Sequence, residues 1–205
     1  KPLLGGAAIF FSFLLVVSGD LWILNKLYQI ELPSTNWLFE QVNLLAWHAK
    51  GVNLSLRPLI GFLLGGTLLF LTGLIDDRFG MSPLVKLIGQ VIAAVILYWA
   101  EIKIGLFIDH PLVNFLLTLF WIVLITNSFN LLDNMDGLSG GVAAICLMLL
   151  GIATQLVEQQ VFISSVSFVL AGCIAGFLRY NLNPSSIFMG DAGSLFVGYS
   201  VAALT

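Results

Sequence analysis

The sequence predicts an all-α protein, a polytopic transmembrane helical bundle of about six complete spans plus a truncated seventh. Three observations predict it. The 205 residues are 59% hydrophobic and 9% charged, with a mean hydropathy of +1.03, whereas soluble domains carry roughly 25% charged residues. The apolar residues fall in uncharged runs near the roughly 20 residues that a helix needs to cross a bilayer. Those runs are continuous and lack the period-two alternation of a membrane barrel.

The elements follow in order. Residues 2–19 form the first span and are followed by Asp20. A polar stretch from about 25 to 57 contains Trp37, Phe39, Leu44, Leu45 and Trp47; it reads equally as a short interfacial helix, since Trp favours the headgroup region, or as a solvated loop. Residues 58–75 form the second span and end at Asp76 and Asp77. The third covers 82–100, with Lys86 near its start, and the fourth covers 111–128. The fifth and sixth are 138–157 and 162–178, and a seventh begins at about 194. The chain begins without Met, shows no signal-peptide pattern and stops at Thr205 inside an apolar run. It is therefore expected to be one membrane-embedded domain over 1–205, a fragment lacking a C-terminal part.

The 20 glycines suit membrane helices, where small residues let backbones approach. Cys146 and Cys173 lie within apolar runs and read as small core residues, without metal-type spacing. A net charge of −3 argues against nucleic acid as a partner.

Counting crossings places Asp76–Asp77, the segment 127–136 and the segment 179–194 on the same membrane face as Lys1. That face carries Lys1, Arg78, Lys86 and Arg179, and the other carries Lys26, Lys50, Arg57 and Lys103. The positive-inside count is a tie and sets no orientation. His48 and His110 fall on the face away from the carboxylates and read as structural.

The chemistry-bearing residues cluster at these ends. Asp76 and Asp77 follow a long uncharged run and sit at a helix C-terminus, where the macrodipole disfavours anions. Their mutual repulsion can raise one pKa toward that of a base. An ordinary turn stopped by Gly80 would also place polar residues here. Asn127, Asn130, Asp133 and Asp136 recur every three residues, which gathers them near one helical face. Polar groups at a membrane end are functional candidates; capping before the helix beginning at Gly137 is the other reading, and four polar residues at a strict three-residue interval weigh against it. Gly190 and Gly193 flank Asp191 and allow close ligand approach. Phe188 could stack on a base or anchor in the interface. Lys86 could snorkel or, pointing inward, neutralise phosphate oxygens, and Gln90 lies one turn on along the same face. Aspartate oxygens suit Mg²⁺, commonly held by one or two carboxylates plus substrate phosphates. Metal and Lys together stabilise a transferring phosphoryl group.

Asp76-Asp77, Asn127-x-x-Asn130-x-x-Asp133-x-x-Asp136-Gly137-Leu138 and Phe188-Met-Gly-Asp-Ala-Gly-Ser194 resemble the polyprenyl-phosphate N-acetylhexosamine-1-phosphate transferases. This superfamily includes the peptidoglycan translocase MraY and the WecA-like initiators of surface polysaccharides. Pro2-Leu-Leu-Gly5-Gly6 is similar to the family's N-terminal Pro-x-x-Gly-Gly turn.

The resemblance implies that a membrane polyprenyl phosphate, undecaprenyl or decaprenyl, attacks the β-phosphate of a UDP-sugar. UMP leaves, Mg²⁺ (with Mn²⁺ as an alternative) is required, and the site faces the cytoplasm of a bacterial cell. It implies Asp191 as metal ligand and Asp76, Asp77, Lys86 and Asp133 as catalytic residues, with Asp76 the base. Asn130, Asp136, Asn181 and Phe188 would bind substrate, Phe188 beside uracil. Further expected partners are membrane lipid and, through helix faces, a second copy in a homodimer. Met-Gly-Asp-Ala-Gly-Ser and Asn-Ser-Phe-Asn are closer to the WecA-like branch, which favours an N-acetylhexosamine donor over UDP-muramoyl-pentapeptide. Asn134 stands where the family often has Gly, and the family's His-containing loop would lie downstream of these residues. Two other readings are weaker. A CDP-alcohol phosphotransferase would continue Asp-Gly with Ala-Arg, whereas Asp136-Gly137 continues Leu-Ser-Gly-Gly. A cation-coupled transporter would place its ionisable groups near the midplane, and here they sit at span ends.

Overall fold

Backbone amides inside a bilayer have no water to bond, so apolar runs of spanning length close their hydrogen bonds as helices. The computed structural model describes residues 2–28, 56–105, 110–158 and 160–205. The interfacial reading of Trp37–Trp47 and the placement of Lys1, His48 and Lys50 lie outside them. The described residues form helices α1 (Gly5–Tyr28), α2 (Leu56–Phe79), α3 (Pro83–Trp99), α4 (Pro111–Leu132), α5 (Leu138–Ala153), α6 (Val161–Asn181) and α7 (Gly190–Leu204). A π-helical turn, Thr154–Glu158, continues α5. The described residues contain no β-strand.

Among the described residues five helices are long and apolar enough to cross a membrane, and the chain is an integral membrane protein. A sixth apolar helix, α3, is shorter, with 17 residues, and completes the expected bundle of about six. At 1.5 Å per residue it is about 25 Å long, short of the ~30 Å hydrocarbon core. Pro83 occupies its first turn, where a missing N–H costs nothing. Its far end is closed by Glu101, in the left-handed region at φ 68°.

Elsewhere the helices outrun the uncharged segments. α2 continues through Asp76, Asp77 and Arg78 until Gly80, at φ 68°, stops it. α7 begins at Gly190 rather than near 194, so Asp191 lies inside its first turn and not before it. Hydropathy marks the lipid-contacting part of a helix, whereas its ends follow caps and glycines.

The bundle is built around α7. Nearly all of this helix is buried, and it packs against α1, α2, α4 and α5, while α6 pairs with α5 and α1. Phe10 of α1 stacks on Phe70 of α2, with ring centroids 4.1 Å apart, and meets Phe196 of α7 edge-on at 5.1 Å. Such pairs add ≈ 0.5–1.5 kcal/mol beyond burial. The fully buried Tyr199 donates its hydroxyl to the Phe62 carbonyl at 3.1 Å. Phe11, Leu15, Ile60, Leu64, Leu116 and Phe120 face outward, as lipid contact requires. The end opposite the carboxylates is tied by Arg57, which donates to the Trp99 carbonyl at 2.5 Å, and by Tyr98, which donates to the Pro111 carbonyl at 3.2 Å. His110 precedes α4 at that same end.

Candidate active site

Four helices deliver polar side chains to one end of the bundle. Lys86, in the first turn of α3, places its Nζ 2.7 Å from Asp76 Oδ2 of α2 and 3.0 Å from Asp191 Oδ2 of α7. Asn130, in the last turn of α4, donates its Nδ2 to Asp191 Oδ1 at 2.8 Å and to Ser194 Oγ at 2.9 Å. Asp76 Oδ1 also accepts the Met81 N–H at 2.5 Å. Asp77 turns the other way, and its two oxygens accept the N–H groups of Asp191 at 2.8 Å and Ala192 at 3.1 Å.

Asp133 follows the last residue of α4. Its carboxyl is pushed up to about 7: burial is the largest cause, the Gly190 N–H it accepts pulls the other way, and the charges of Asp191 and Asp77 add to the rise. It is thus a carboxyl that titrates near neutral pH, within reach of the charges of Asp191 and Asp77.

A second group lies in the adjoining loops. Asn181, the last residue of α6, accepts the Gly137 N–H at 2.9 Å and donates to the Ile187 carbonyl at 2.9 Å. Asp136 Oδ2 accepts the Ser185 N–H at 3.2 Å. Phe188 is held through its backbone: its N–H donates to the Pro2 carbonyl at 3.1 Å, and its carbonyl accepts the Gly5 N–H at 3.0 Å. The Gly6 N–H reaches the Met189 carbonyl at 2.9 Å. The Pro2–Gly6 turn is therefore laced onto the segment that carries Asp191. A Cβ on Gly6 would run into the Gly193 backbone, so glycine is needed on both sides of this crossing.

Asp76, Asp77, Lys86, Asn130, Asp133 and Asp191 are thus brought together. Asp136 and Asn181 instead brace the loops beside them. Ser194, Gln90 and Asn127 stand outside that set. Ser194 accepts from Asn130; its position three residues after Asp191 places it on the same helical face. Gln90 and Asn127 exchange side-chain amide bonds, at 3.2 Å from Gln90 Nε2 and 2.6 Å from Asn127 Nδ2. The position of Gln90 one turn beyond Lys86 was the available signal.

Among the described residues no group of three or more His, Cys, Asp or Glu forms a complete metal cage. The donor set still fits Mg²⁺, which typically takes one or two carboxylates and fills its shell with water and substrate phosphate. Asp76 and Asp191, from two helices, already converge on one cationic centre at Lys86 Nζ. Asp191 keeps 31% of its side chain accessible, so a cation and a phosphate can reach it.

Residues 59–205 match the model of the family described as Glycosyl transferase family 4. The chain is 36% identical over 169 residues to a probable undecaprenyl-phosphate N-acetylglucosaminyl 1-phosphate transferase of Bacillus subtilis (strain 168), covering 77% of this chain and 46% of that protein. It is 36% identical over 158 residues to a decaprenyl-phosphate N-acetylglucosaminephosphotransferase of Mycobacterium leprae (strain TN), covering 69% of this chain and 40% of the other. A phospho-N-acetylmuramoyl-pentapeptide-transferase of Thermoanaerobacter sp. (strain X514) is 36% identical over 158 residues, covering 70% of this chain and 50% of its own length. The chain spans about half the length of the curated relatives it matches.

Proposed function

This chain belongs to glycosyl transferase family 4, and on that premise we propose that it transfers a sugar-1-phosphate from a UDP-sugar to a membrane polyprenyl phosphate, releasing UMP. An acceptor phosphate oxygen attacks the β-phosphorus of the donor. The new P–O bond forms as the bond to the bridging oxygen breaks, and that oxygen departs with UMP. The names of the relatives support this reading, with an N-acetylhexosamine donor favoured over the muramoyl-pentapeptide donor. The observation that carries it is Lys86 held between Asp76 and Asp191, three segments meeting at one accessible cationic point.

The side chains divide the work. Asp191 is the oxygen donor that would hold Mg²⁺ or Mn²⁺, with substrate phosphate and water filling the rest of the shell. That ion supplies Lewis-acid neutralisation of the diphosphate. Lys86 exchanges a carboxylate contact for a phosphate oxygen as the donor binds, a compact point charge suited to the task. Asp76 accepts the proton of the acceptor phosphate when that phosphate arrives as a monoanion. Asn130 orients the Asp191 carboxylate, and Asp133 adds a carboxyl near neutrality. Asp136, Asn181 and Phe188 form the loop wall against which the nucleotide is placed. The carboxylate end faces the cytoplasm of the cytoplasmic membrane, where UDP-sugars are made.

The test is a donor panel offered to membranes carrying the full-length protein. Label from UDP-GlcNAc should enter the lipid phase in the presence of undecaprenyl phosphate and Mg²⁺. Transfer from UDP-MurNAc-pentapeptide alone would keep the chemistry and change the donor. Turnover of none would overturn the proposal.

A further inference from the structure

The geometry points to Asp77 as a positioning residue that caps helix α7 from outside and so aims Asp191, rather than as a group that touches the reacting phosphates. This rests on the reading of Asp191 as the cation ligand.

A helix begins with N–H groups that have no partner within it, and a side-chain oxygen at the N-cap usually takes one or two of them. The N-cap residue of α7, Met189, has no such side-chain bond. Asp77, on α2, takes that place: one oxygen accepts from Asp191 N and the other from Ala192 N. The preceding N–H, of Gly190, goes to Asp133. The opening amides of α7 are therefore bound by two carboxylates from other helices. The end of a helix that would otherwise attract a phosphate is already filled.

The close approach is built into the backbone. Gly73 lies one turn before Asp77, and a Cβ there would overlap the Asp191 and Ala192 main chain. Gly190 adopts φ 73°, and a Cβ on it would lie 2.8 Å from Asp77 Oδ2. Adjacent helical residues do not face the same way. Asp76 thus looks toward Lys86 while Asp77 looks into the start of α7. With both oxygens on main-chain N–H groups, Asp77 fixes the backbone from which the Asp191 carboxylate reaches Lys86 and Asn130.

The experiment uses full-length protein in detergent and reads Mn²⁺ binding by electron paramagnetic resonance without substrate, then turnover against Mn²⁺ concentration. Asp77→Asn keeps the shape but turns an amide N–H₂ toward one backbone N–H, and the smaller Asp77→Ser leaves one amide uncapped. Supporting residues of this kind typically cost 10–100-fold in metal affinity. Both variants should weaken Mn²⁺ binding on the order of that range, and most of the lost turnover should return at saturating Mn²⁺, which Asp76→Asn would not allow. Unchanged Mn²⁺ affinity with turnover lost at every metal concentration would overturn the inference and place Asp77 on the reacting groups. Failure of both variants to fold would overturn it as well, making the carboxylate a determinant of the fold. Mn²⁺ binding by Asp191→Asn equal to wild type would instead remove the cation assignment beneath it, an outcome recognisable without any Asp77 variant.

Discussion

Asp76 and Asp77 are neighbours along the chain and part company in space. One pairs with Lys86, and the other binds the main chain of α7. The pair was legible as a feature, since two acids after a long apolar run have no lipid-facing purpose. Its division of labour was not, because it depends on where α7 begins. Gly73 shows the same limit: it reads as one more small membrane residue, yet a Cβ there would meet the Asp191 backbone. Overpacking typically costs 1–3 kcal/mol. Gly73→Ala should therefore lower thermal stability by about that amount and reduce activity, whereas Gly19→Ala, inside α1 with open space around its Cβ position, should not lower stability and should raise it by up to about 1 kcal/mol. Asp133 makes a prediction about pH. Its carboxyl is pushed up to about 7, against roughly 3.9 for an unfolded aspartate. Between those values the folded protein keeps a proton that the unfolded chain releases, so stability falls as pH rises from about 4 to 7 and levels off above. Thermal unfolding in EDTA should show that slope, and Asp133→Asn should flatten it.

At the scale of elements, apolar runs located every helix among the described residues, because in a bilayer length and hydropathy nearly suffice. They misplaced the ends, because ends are set by capping. The start of α7 at Gly190 depends on carboxylates of α2 and α4, which no local window contains. The short α3 is joined to α4 by the Gln90–Asn127 amide pair, and Gln90 is 1% exposed. Removing one member leaves a buried amide unpaired, at about 1–3 kcal/mol, while replacing both by apolar groups can be nearly neutral. Gln90→Leu or Asn127→Leu alone should each destabilise by about that amount, and the double variant should recover much of the loss. Additive losses in unfolding measurements would show that the pair does not couple the helices.

For the whole molecule, the crossing count predicted that the three acidic segments share one end of the bundle. The contacts among Asp76, Lys86, Asn130 and Asp191 place them there. Periodicity showed which groups lie near one another along a helix, but not the pairing across helices. Nor did it show that the Pro2–Gly6 turn is laced to Phe188 and Met189, a contact between opposite ends of the chain. The arrangement gathers negative charge from separate helices at one membrane end and balances it with one lysine. Stability does not require this, whereas the proposed binding of a diphosphate with its cation would. Lys86→Met should therefore lower turnover by about 10²–10³, the usual effect of removing one electrostatic donor, with little change in folding by circular dichroism.

In the proposed reaction phosphorus moves together with the sugar. Full-length protein should be given UDP-GlcNAc carrying ³²P at the β-phosphate, undecaprenyl phosphate and Mg²⁺. Transfer of the sugar-1-phosphate puts ³²P in the lipid phase and unlabelled UMP in the water, and both should be lost in Asp191→Asn. Label that stays in water as UDP while the sugar enters the lipid, or lipid labelling that survives Asp191→Asn, would contradict it.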